Sequence, residues 1–153
     1  MKKHVKLTAI LLILASLFLL VSCGGAGEDP APDATVTLVL EDRIDGSPNA
    51  YTVRLSDLSE GDGIIPLLAY VSDTYGLAFE MDGTMISKIG AIENNADAGE
   101  WIYVYTTVTE DVDVSEYRMT VEYQGMTITS SGVGATDMRL KDGAIIYIGL
   151  ITF

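Results

Sequence analysis

Few residues in this chain are of a type and spacing that could do chemistry. Trp101, Tyr103 and Tyr105 alternate along one strand-like run, so their rings share a face. Such a face is either an aromatic platform for a flat ligand or a sugar, or core packed under a helix. Asp111, Asp113 and Ser115 have the i, i+2, i+4 spacing of a calcium loop, and Glu122 lies where a bidentate carboxylate would close it. Glu116, however, stands where the sharp turn of such a loop needs glycine, and Tyr117 to Glu122 reads as strand. A solvated acidic loop over 110–116 is therefore expected, with no metal. Asp142 precedes Gly143, which is a turn signal. Pairing it with another acid for glycoside hydrolysis would need a sugar cleft, and a small domain with one helix rarely supplies one. His4 is the only histidine and Cys23 the only cysteine, so the chain beyond them lacks Ser-His-Asp, Cys-His and His/Cys zinc chemistry. No disulfide within the chain is available either. No catalytic residue is expected, and the chain reads as a non-enzyme.

The lone cysteine has a chemistry of its own. Lys2, Lys3, His4 and Lys6 precede an apolar run from Leu7 to Val21, and Leu20-Val21-Ser22-Cys23 follows the lipobox pattern of bacterial lipoproteins. A charged stretch before an apolar one is the plan of a secretory signal, here 1–22. A membrane span needs about 20 apolar residues, so this run is slightly short for one. Cys23 is the expected lipidation site, alkylated with diacylglycerol before the peptidase cuts in front of it. One myristoyl-length chain gives only marginal anchoring, at about 0.8 kcal/mol per buried CH₂, whereas two chains hold permanently. The expected location is the membrane, lipid-anchored and facing the extracytoplasmic side. Residues 23–33, rich in Gly, Ala, Pro and acid, then read as a flexible tether.

Charge restricts the partners. The chain has 22 acidic and 9 basic residues, a net charge of −13; loss of Lys2, Lys3 and Lys6 with the signal leaves six basic residues and −16. Such a surface repels nucleic acid and anionic headgroups. Nucleic acid is therefore excluded as a partner. An unidentified protein or small-molecule ligand remains.

Residues 34–153 must position these groups. Thr35 to Leu40 and Tyr51 to Leu55 alternate as strands, joined by a polar loop. Ile64, Leu67, Leu68, Val71 and Tyr75 fall at helical spacing, with Pro66 in the first turn and Gly76 as the stop. Phe79, Met85 to Ile89 and Ala91-Ile92 are short extended pieces. Trp101 to Val108 is the most strand-like run, apolar enough on both faces for a central strand. Tyr117 to Tyr123, the turn Gln124-Gly125 and Met126 to Ser130 form a hairpin signal. Ala144 to Ile151 closes the chain as a second buried strand. The order predicts an α+β fold: one helix on a mixed sheet of four or five strands, with an extra hairpin.

From Gly63 onward the chain resembles the transcobalamin-like C-terminal domain family, a β-grasp module found in bacterial surface lipoproteins. The resemblance rests on Gly63 to Leu68 at the helix opening, Tyr75 to Glu80 at its exit, Met85 to Ile92, Gly99 to Tyr105, and Gly134 with Leu140 to Tyr147. The chain departs from the family pattern where Thr106 to Val108 runs into an acidic insert and a hairpin, and where Ala144 replaces an acid. The resemblance implies the β-grasp topology, with the first and last strands as central neighbours, and, among vitamin carriers, closure over cobalamin with the help of a large helical domain that this chain lacks. The expected function is ligand or partner binding without catalysis. A cobalamin- or corrinoid-type small molecule is the alternative, with Trp101, Tyr103 and Tyr105 as the candidate contacts.

Overall fold

A computed structural model describes residues 31, 33–41 and 47–153. The signal and the Cys23 lipidation site lie outside the described residues, as do most of the tether and residues 42–46 of the first loop. Strand β1 (Thr35–Leu40) pairs antiparallel with β2 (Asn49–Arg54). Helix α1 (Ile65–Tyr75) follows, then β3 (Phe79–Asp82), β4 (Met85–Ile89) and β5 (Ile92–Glu93). The chain continues with β6 (Glu100–Thr106), the hairpin β7 (Thr120–Tyr123) and β8 (Met126–Ser130), and β9 (Ala144–Thr152).

The fold is α+β, but the expected sheet of four or five strands is corrected to two sheets: six strands in the order β2-β1-β9-β6-β8-β7, and a separate three-stranded β3-β4-β5. The hairpin joins the main sheet rather than standing apart from it, which raises its strand count. The first and last strands are parallel neighbours at its centre, Val36 to Leu40 opposite Ala144 to Ile148.

Helix α1 forms where the periodicity predicts. Pro66 sits in the first turn, and Gly76 ends the helix at φ 67°, a left-handed conformation that glycine adopts without a Cβ penalty. Its buried residues Leu67, Leu68 and Val71 pack on Val36, Leu38, Ile146 and Ile148. Ile102 and Val104 of β6 face the same core. On the other face Val39, Tyr105, Tyr123, Ile128 and Tyr147 form a second cluster. Apolar cover on both faces explains why β9 reads as a near-continuous apolar run and why β1 ends on one, Leu38 to Leu40.

Two strand ends differ from expectation for a shared local reason. β6 stops at Thr106, whose hydroxyl accepts from the Val108 N–H at 3.0 Å. β7 starts at Thr120, not Tyr117, because Ser115 Oγ accepts from the Tyr117 N–H at 3.2 Å and holds a bend. Side-chain bonds to nearby backbone compete with the ladder at both places.

Candidate functional site

β6 is longer than the strand beside it. Its whole length pairs with β9, Glu100 opposite Thr152 through Thr106 opposite Ile146. On the other edge only Tyr105 and Thr106 pair with β8. The stretch from Glu100 to Val104 therefore projects past the hairpin. Its far end is closed by a return of the chain: Asn95 N–H donates to the Glu100 carbonyl at 2.8 Å, and Glu100 N–H to the Asn95 carbonyl at 2.9 Å. Gly99, at φ 68°, makes that return possible; a Cβ there would lie 2.9 Å from the Phe153 carbonyl.

Asn94 ties the two sheets together. Its Oδ1 accepts from the Ile102 N–H at 2.6 Å, its Nδ2 donates to the Ile86 carbonyl at 3.2 Å, and its own N–H reaches the Ser87 carbonyl at 3.0 Å. At the near end the Val104 carbonyl accepts from Ser131 N–H at 2.8 Å. Between these two ends a groove of about 290 Å³ opens, walled by Thr84 to Ile86 of the small sheet and by Val133 to Ala135. No lining side chain is charged. Met85, Trp101, Val133 and Phe153 line it and are also exposed, at 57%, 37%, 39% and 83%. Exposed large apolar side chains are ordinary when scattered singly and informative when gathered; here four of the eight on the described surface gather in one place.

The three aromatic candidates divide. Trp101 and Tyr103 line the groove, while Tyr105 does not. Tyr105 is 6% exposed and belongs to the second cluster, edge-on to Tyr103 at 5.7 Å and to Tyr147 at 5.9 Å. The single platform is thus corrected to a two-residue rim. The stripe is not core under the helix either, because Ile102 and Val104 take the helix face and alternation turns the aromatics away. Burial, and secondarily the Glu41 carboxylate, push the Tyr105 and Tyr147 phenols up, so both stay neutral at ordinary pH.

The acidic loop is structural rather than simply solvated. Asp111 is 1% exposed; its Oδ2 accepts from Arg139 N–H and its Oδ1 from Arg139 Nη1, both at 2.6 Å. A carboxylate spent in this way is not free to close a calcium loop. Asp113 accepts from Ser115 N–H at 2.8 Å, which holds its carboxyl below its ordinary range. Glu122 points instead to Thr127, at 2.6 Å across the hairpin. Asp142 accepts from Thr35 N–H at 2.9 Å, so it joins the starts of β1 and β9. Among the described residues no group of three or more His, Cys, Asp or Glu is arranged to hold a metal ion, and no helix is long and apolar enough to cross a membrane.

Sequence reasoning missed Met85, Asn94, Val133 and Phe153. They come from four separate segments, and no periodicity links them; only a contact between the small sheet and β6 brings them together.

No family model matches this chain, and no curated protein matches it. Among solved structures, a crystal structure from Ruminococcus gnavus described as a "putative metal binding protein" is similar at 10% identity and a TM-score of 0.47, covering 79% of this chain and 99% of the other.

Proposed function

We propose that this chain is a lipid-anchored, extracytoplasmic binding domain of β-grasp type, without catalytic activity, that takes its ligand in the groove beside Trp101. The observation that carries the reading is the gathering of exposed Met85, Trp101, Val133 and Phe153 around uncharged walls. The lipobox at Cys23 supports the anchoring. A helix crossing one face of a sheet whose first and last strands are parallel neighbours supports the β-grasp reading. Size bears on the ligand. Small-molecule pockets span about 300–1,000 Å³, and this groove, near 290 Å³, falls just short of that range. A cobalamin-type ligand would rest only an edge here, so something smaller or narrower is favoured.

Trp101 is the only tryptophan, so intrinsic fluorescence reports on the groove alone. The test is titration of the full chain in detergent micelles with cobalamin, a panel of glycans and short peptides, with an inner-filter control. A saturable change, weakened by Tyr103→Ala in an independent calorimetric assay, is expected for at least one ligand. A flat response to every class refutes the reading.

A further inference from the structure

The groove is floored by a strand edge, and the edge has a gap of defined size. Even-numbered residues of β6 turn their backbone groups away from β9. Along that edge the Glu100 pair, the Ile102 N–H and the Val104 carbonyl are all taken by Asn95, Asn94 and Ser131. The ladder to β8 stops at Tyr105, so Ser131 gives Val104 one bond without the returning one. Two groups are left facing the groove with no partner among the described residues, the Ile102 carbonyl and the Val104 N–H. They flank Tyr103.

We infer, on the basis of the binding reading above, that the groove's ligand is an extended peptide that adds to this edge as a short parallel strand. The hydrogen-bond pattern selects the direction. In a parallel pairing one guest residue opposite Tyr103 donates its N–H to the Ile102 carbonyl and accepts the Val104 N–H at its own carbonyl. Both open groups are satisfied by that one residue, whose own amide and carbonyl are both paired; the guest's flanks turn away from the edge beyond it, where Asn94 and Ser131 already hold the Ile102 N–H and the Val104 carbonyl. An antiparallel guest would also address the Ile102 N–H and the Val104 carbonyl, which Asn94 and Ser131 already occupy. It would leave its own amide and carbonyl unpaired against an apolar wall. The guest's side chains then alternate, one beside Tyr103 and its neighbours toward Ile102 and Val104.

Charge defines the flanks. Eighteen acids and five Lys or Arg lie among the described residues, and Arg54, Lys88, Arg139 and Lys141 are each ion-paired with an acid. With no charged side chain in the lining and a strongly acidic balance over the described residues as a whole, the complementary guest has an apolar centre and basic flanks.

The probe is acetyl-Lys-Lys-Val-Ile-Val-Lys-Lys-amide, added to the full chain in neutral detergent micelles and followed by Trp101 emission and by the ¹⁵N–¹H resonance of Val104. Saturable binding with a downfield shift of the Val104 amide proton is expected. N-methylation of the three apolar residues, which removes the donor to Ile102, should weaken binding at least about fivefold. Replacing the lysines by glutamates should weaken it more, with a gap that closes as salt is added. Equal affinity of the N-methylated and parent peptides overturns edge addition while leaving the groove a binding site. So does a Trp101 response to glycans or cobalamin but to no peptide. Silence toward every ligand overturns both readings.

Discussion

Replacing Asp111 by asparagine tests how the Val133 wall of the groove is held. The carboxylate offers two acceptors and uses both on Arg139, one for the backbone N–H and one for the guanidinium, each at 2.6 Å. Asparagine has one acceptor oxygen. Whichever way its amide turns, an NH₂ group faces a donor in a site only 1% exposed. A hydrogen bond to a charged group contributes about 1.5–3 kcal/mol, and a buried donor left unpaired costs about as much. The guanidinium is 54% exposed, so water recovers most of its loss and the ion pair itself adds little. The backbone N–H therefore dominates, and Asp111→Asn should cost about 2–3 kcal/mol. For a domain of this size that is a fall in Tm of roughly 6–15 °C. Arg139→Lys keeps the backbone bond and should cost about 1 kcal/mol or less. The consequence reaches the groove, because the Asp111 carbonyl accepts from Gly132 N–H at 2.8 Å and so steadies the segment leading to Val133. Circular-dichroism melts and urea midpoints measure both variants, with the urea slope expected unchanged. A loss below about 0.5 kcal/mol for Asp111→Asn, or a larger loss for Arg139→Lys, would refute the reasoning.

Asn94→Ala removes the tie between the sheets and strands the part-buried Ile102 N–H and Ile86 carbonyl; a loss of about 1–3 kcal/mol is expected, with faster amide exchange at Ile102 than in the parent chain. Gly63→Ala should prevent folding, since its Cβ would lie 1.9 Å from the Ala135 carbonyl at φ +59°, whereas Gly83→Ala, at φ +61° in open space, should cost only about 1 kcal/mol; comparable melts for the two would contradict this. The Lys141 hydrogen bond holds Glu110 below its ordinary 4.5, and the Ser115 N–H holds Asp113 below 3.8. Folded values lower than unfolded ones mean stability that is present above those ordinary values and lost as pH falls through the folded ones. Urea midpoints should therefore drop below about pH 4.5, and Lys141→Met should flatten the upper part of that drop. Cys23→Ser should abolish metabolic labelling by palmitate and, because cutting follows alkylation, leave the 1–22 signal attached, read as a heavier polypeptide by mass spectrometry; unchanged labelling or an unchanged polypeptide mass would refute lipidation at Cys23. Met85→Glu, at a 57% exposed position, should leave the melt unchanged and weaken the basic peptide's apolar seating, read as a smaller Trp101 response at high salt.

Local signals determined most of the elements. Pro66 and Gly76 bracket α1, Gln124-Gly125 makes the hairpin turn with both residues at positive φ, and the β-branched runs of β1 and β9 become the central pair. These depend on propensity, turn chemistry and the apolar period, all of which act within a few residues. The absence of histidine and thiol beyond Cys23 was equally plain in the composition. Tertiary structure decided how many strands share a sheet, because the pairing of β6 with β8 rests on two residue pairs that no local pattern marks. It also decided which face of β6 meets the helix. Both faces of Trp101 to Thr106 are apolar, so only the packing of Ile102 and Val104 into the cluster that holds Leu67, Leu68 and Val71 fixes which face meets the helix and sends Tyr105 to the second cluster. The burial of Asp111 was hidden for the same reason: a charge reads as solvated until a distant residue, here Arg139, supplies its partners. The groove itself exists because β6 outruns β8, a mismatch of lengths between strands far apart in the chain, and no single stretch of sequence encodes such a difference.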